Sequence, residues 1–158
     1  MLNKFQYLAL VSTFGVVVTA FASTTTTSSS TNGNMNVYLT VLKACTVSVS
    51  DMNFGEQYSN AGDQTTDATA SVVCTQGTDY RLTADAAHDY VLNDGNGNKV
   101  AYHLYTDQAG QVPMTTGTTE TGTGAPQQLK IYGKIAASSL QQAPAGQYKD
   151  TVSILVDY

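Results

Sequence analysis

The chain is 158 residues long with a formal net charge of −5, and charged residues make up only 12% of it. Its acidic residues are scattered and it offers no basic patch, which excludes electrostatic capture of nucleic acid or anionic lipid. Thr, Ser, Asn, Gln and Gly supply most of the polarity, a composition that suits an extracellular β-protein better than a cytosolic enzyme.

In chain order, Lys4 precedes an almost uncharged apolar run over residues 5–19, and Ala20-Phe21-Ala22 follows as a small-x-small signal. That order reads as a secretory signal peptide over residues 1–22, cut after Ala22. The run is shorter than the roughly 20 residues a spanning helix needs, and a polar tract follows at once. No later segment is apolar enough to span, so no membrane insertion is expected after cleavage. Lys4 leaves with the signal, and residues 23–158 suffice for one domain with its own core. Residues 23–34 (STTTTSSSTNGN) have nothing to bury and read as a flexible leader.

From Met35 the pattern alternates. Met35, Val37, Leu39 and Val41 share one face, with Asn36, Tyr38, Thr40 and Leu42 on the other. Period two predicts a strand over residues 35–43. The odd series meets Lys43 and resumes at Cys45, Val47 and Val49, which implies two strands or one strand with two jobs. Cys45 and Cys74 are the two cysteines of the chain. In an oxidising compartment an even pair reads as a disulfide. The loop it closes stabilises by roughly 3.5 kcal/mol in the chain-entropy model.

Further strands are expected at residues 68–74, 80–84, 99–106, 127–135 and 148–158. Turn chemistry separates them, most clearly the Asn/Asp/Gly cluster at residues 93–98. Residues 115–124 read as a Gly/Thr-rich connection. No segment has a helical period. Residues 44–158 therefore read as an all-β sandwich domain.

Catalytic chemistry finds little to stand on. His88 and His103 lie far apart and read as packing or surface residues; no Gly-x-Ser-x-Gly elbow is present. Oxidised cysteines are not nucleophiles. The run Asp94-Gly95-Asn96-Gly97-Asn98 lacks the spaced carboxylates of a calcium loop and reads as a turn. The ten tyrosines fit cross-strand packing better than a sugar-binding face. No metal, cofactor or catalytic residue is assigned. A terminal strand with no certain partner in its own domain, as residues 35–43 form, can instead complete another domain's sheet edge.

Several blocks resemble the archaic chaperone–usher pilus subunits that carry a spore coat U-type domain. The alternating run from Met35 into Cys45-Thr-Val47 resembles the family's N-terminal segment. Asn53-Phe54-Gly55 is similar to its turn, and Ser71-Val-Val-Cys74 to its second cysteine. Ala101-Tyr102-His-Leu-Tyr105-Thr-Asp107 is similar to its central strand end. Most specific is Gly146-Gln-Tyr148-Lys-Asp150, leading through Val152, Ile154 and Val156 to a terminal aromatic, Tyr158.

The resemblance implies an incomplete immunoglobulin-like β-sandwich completed by donor-strand exchange. Met35, Val37, Leu39 and Val41 would fill a neighbour's groove, and Val152, Ile154, Val156 and Tyr158 would form the groove edge that a chaperone reads. It also implies other pilin subunits, a periplasmic chaperone and an outer-membrane usher as partners, with export through the periplasm to a surface pilus that supports attachment and biofilm formation. A single domain points to a rod subunit and not to a two-domain tip adhesin. The rival readings are a carbohydrate-binding adhesin module and a secreted hydrolase.

Overall fold

The computed structural model describes residues 22–158. The signal-peptide expectation therefore lies outside the described residues but for Ala22. Residues 22–38 form a unit of their own, without regular secondary structure and exposed throughout. The second unit, residues 39–158, carries all the strands found among the described residues.

In chain order these are β1 (Cys45–Val49), β2 (Gln64–Cys74), β3 (Asp79–Ala84), β4 (Val91–Asn93), β5 (Lys99–Ala101), β6 (His103–Tyr105), β7 (Thr118–Thr121), β8 (Gln127–Ile135) and β9 (Ile154–Asp157), with a single turn of helix, α1 (Ala137–Gln141), after β8. One sheet has the order β1-β2-β8-β6 and the other β7-β3-β9, while β4 and β5 form a separate hairpin. Every pairing is antiparallel. The all-β, immunoglobulin-like sandwich expected from the sequence is the fold that forms.

Alternation builds its core. In β2, Ala68, Ala70, Val72 and Cys74 are buried while the residues between them are not. Ile131 and Ile135 of β8 join them from the same sheet, and Tyr80, Leu82 and Ala84 of β3 face them from the other. Burying a large apolar side chain contributes about 1.5–3 kcal/mol, so this inner layer dominates the stability of the unit.

Three expectations within residues 99–158 need correction. Residues 99–106 are not one strand: β5 pairs with β4, β6 pairs with β8, and Tyr102 between them donates its backbone N–H to Tyr90 O at 3.0 Å. Alternation is the same on both sides of such a switch, so the pattern conceals it. The connection at residues 115–124 contains β7, paired with β3. The last strand is shorter than residues 148–158: Lys149 bridges to Asn93, and only Ile154–Asp157 pair with β3.

Cys45 and Cys74 sit directly opposite each other in the β1–β2 register and are joined as a disulfide. Non-reducing mass spectrometry of the native protein should recover the two peptides linked. A Cys45→Ser/Cys74→Ser variant should lose roughly 3 kcal/mol in denaturant titration. Two free thiols in the native protein would refute the assignment.

Candidate functional site

The register of β1 exposes an anomaly. Val47 and Val49 lie opposite Val72 and Ala70, so all four point to the inner face. Val72 and Ala70 are fully buried, yet Val47 is 38% and Val49 40% exposed. Across the sandwich, β9 is an edge strand of the second sheet. On its side, Ile154 and Val156 of β9 lie opposite the buried Ala84 and Leu82 but are only half-buried. Among the described residues, β1 and β9 each have one strand neighbour. Between these two edges lies a groove of about 690 Å³. Ala68, Leu104 and Ile131 line its floor, and Val47 and Val49 face Val152 and Ile154 across it.

The wall beyond β1 is built without regular strand structure. Ser50 N–H donates to Thr69 O, Thr69 N–H donates to Ser50 Oγ, and Thr66 Oγ1 donates to Asn53 O, each at 3.0 Å. Side chains thus stand in for ladder bonds and carry residues 50–54 along β2. Met52 and Phe54 fold inward over Gly133 of β8, where a Cβ would collide with both. Asn53-Phe54-Gly55 then turns the chain: Gly55 adopts φ +70° and donates its N–H to Asn53 Oδ1 at 2.7 Å.

On the opposite wall, Asp150 anchors the approach to β9. Its Oδ2 accepts the Tyr102 hydroxyl and lies 2.7 Å from His88 Nε2, and its Oδ1 accepts Thr151 N–H at 2.8 Å. Burial alone would raise the Asp150 pKa, but the bonds from His88, Tyr102 and Thr151 outweigh it and hold the carboxyl below its usual range. Burial, and then the same carboxylate, push the Tyr102 phenol well above its ordinary value. His88 stacks edge-on against Tyr90, and Tyr90 against Tyr102, which fixes this corner of the groove. His103 lies exposed on β6. The other motif aspartate, Asp107, accepts N–H bonds from Gln111 and Val112 and closes the loop after β6.

Asp94 likewise binds its own turn, accepting N–H bonds from Asn96 and Asn98 at the tip of the β4–β5 hairpin. Among the described residues, no cluster of His, Cys, Asp or Glu is placed to hold a metal ion. A second concavity of about 1130 Å³ adjoins the groove and shares Leu92, Tyr148 and Lys149 with it.

The sequence-derived site residues separate into two groups. Val152 and Ile154 line the groove and Val156 continues their face, whereas Tyr158 stands 58% exposed past the end of β9. Met35, Val37, Leu39 and Val41 are 84%, 80%, 87% and 72% exposed and form no strand. A lone segment has no neighbour to satisfy its backbone, so alternation by itself does not make one. Sequence reading did not assign Val47, Val49, Met52 and Phe54 to the groove. The alternation at Val47 and Val49 was visible, but nothing in one sequence says which inner-facing residues lack a cover.

The Spore Coat Protein U domain family model matches residues 31–155. No match is found among curated proteins. Among solved structures, the chain is similar to the chaperone–tip adhesion subunit pre-assembly complex CsuC–CsuE, from the archaic chaperone–usher Csu pili of Acinetobacter baumannii. The TM-score is 0.52 at 21% identity, covering 75% of this chain and 40% of that one. That likeness supports the sandwich fold, and the match across most of the length settles the lineage: the chain belongs to the Spore Coat Protein U domain family.

Proposed function

We propose that this chain is a structural, non-catalytic subunit of a bacterial surface pilus assembled by the chaperone–usher route, exported through the periplasm and polymerising by donation of residues 35–43. The carrying observation is the pairing of an open groove with an exposed, alternating apolar segment in one chain. An unpaired sheet edge beside an apolar groove invites any passing strand, so it calls for a periplasmic chaperone until assembly at an outer-membrane usher. The similarity to a chaperone–subunit complex fits that reading, and such a filament would serve surface attachment and biofilm formation.

Local geometry supports donation outward. Thr75 N–H donates to Ala44 O at 2.9 Å, and Ala44 N–H donates to Thr75 Oγ1 at 3.1 Å. These bonds extend the line of β1 past Cys45, and residues 39–42 leave with Leu39, Val41 and Leu42 exposed.

Deletion of residues 23–41 tests the proposal. The shortened subunit should fold, bind chaperone and accept a strand, yet cap chains without extending them. An unfolded deletion variant, or one that still forms long polymers, would refute donation.

A further inference from the structure

We infer that the donated segment seats in a single register, in which Lys43 of the incoming copy meets Asp150 of the copy that receives it. This rests on the strand-donation reading and adds to it the residue pair that sets alignment.

The polarity of the groove comes first. Only residues 75–78 separate β2 from β3, so Cys74 and Asp79 lie at one end of the domain. Cys45 is opposite Cys74, and Arg81 is opposite Asp157, so β1 begins where β9 finishes. A strand that adds to β9 and completes an immunoglobulin-like sandwich runs antiparallel to it, the more stable pairing. Its first residues then lie beside Tyr158 and its last beside Asp150.

The alternate residues along β9 and its approach are Asp150, Val152, Ile154, Val156 and Tyr158; those of the donor are Met35, Val37, Leu39, Val41 and Lys43. Set antiparallel, they match at every position. Met35 meets Tyr158, Val37 meets Val156, Leu39 meets Ile154, Val41 meets Val152, and ammonium meets carboxylate. A slip of two residues one way puts Val41 on Asp150. A slip of two the other way puts Lys43 on Val152. A slip of one turns the apolar face outward.

Asp150 is built to read this end. It lines the groove with its side chain only 14% exposed, and Tyr102, His88 and Thr151 N–H hold its carboxylate in place. The groove's other charged lining residues, Asp51 and Lys149, are of opposite sign, so Asp150 carries the net charge.

The donor must be a second copy. Only Ala44 separates Lys43 from Cys45, two Cα steps of about 3.8 Å each. In its own groove this register would place Lys43 about 20 Å from Cys45, the length of roughly six extended residues.

Register-specific disulfides in the full chain test the inference. Val37→Cys combined with Val156→Cys should give a covalent ladder of polymers on non-reducing gels, and Val37→Cys with Ile154→Cys should not. Lys43→Glu should slow assembly at least about tenfold, the loss of one charge-assisted contact, while Lys43→Arg assembles normally. In an Asp150→Asn background the Lys43→Glu defect should shrink. A ladder from the Ile154→Cys pair, or normal assembly by Lys43→Glu, overturns the register and leaves donation standing. If the unmodified chain forms no polymer at all, donation falls and the register with it.

Discussion

A subunit carrying a second copy of residues 35–43 at its C-terminus, joined by a flexible linker, should be a soluble, chaperone-independent monomer with a melting temperature more than about 10 °C above the unmodified chain. The groove leaves Val47 and Val49 exposed on the inner face and Ile154 and Val156 half-buried. Four donor side chains at roughly 2 kcal/mol each contribute on the order of 8 kcal/mol when they cover that surface. In a free pair of subunits part of this is lost to association and to ordering an exposed segment. A tether raises the effective concentration of the strand to about the millimolar range, so most of the gain appears as stability. The linker also supplies the reversal of direction that Ala44 alone cannot. Thermal melts and size-exclusion profiles read the result. If residues 35–43 merely belonged to their own sandwich, the appended copy would change neither.

Ile154→Asp should abolish assembly while leaving the isolated domain folded. Ile154 lies on the groove wall and is partly solvated, so a carboxylate there stays hydrated until a strand covers it. Strand addition would then bury an unpaired charge, which costs several kcal/mol unless it protonates. Both chaperone co-purification and polymer formation should collapse. Leu155→Asp is the matched control, because Leu155 points outward on the same strand and is 46% exposed. That variant should assemble at the unmodified rate. Equal behaviour of the two variants would show that the inner face of β9 is not the edge that partners read.

Strands whose two faces differ were legible one by one. β2, β3 and β8 announce themselves by strict alternation, and the structure extends β2 to Gln64, starts β3 at Asp79 and keeps β8 at Gln127–Ile135. The hairpin turn after β4 was equally plain, because Asp94 and its Asn/Gly neighbours satisfy the turn locally. Elements that depend on a distant partner were not legible. Tyr102 parts β5 from β6 because its flanking strands find different sheets. The exposed Thr118–Thr121 becomes β7 only because β3 offers it an edge.

The candidate site divides the same way. Local sequence determined the alternating apolar series of residues 35–41, the inner face of β9, and the disulfide pair, since each is a matter of residue type and period two. Only the tertiary structure decided that Val47 and Val49 are uncovered, that Met52 and Phe54 fold over Gly133, and that Asp150 is fixed by His88 and Tyr102 at one end of the groove. Alternation tells a residue which face it takes; whether anything covers that face depends on how many strands the opposite sheet contains, a property no single strand encodes.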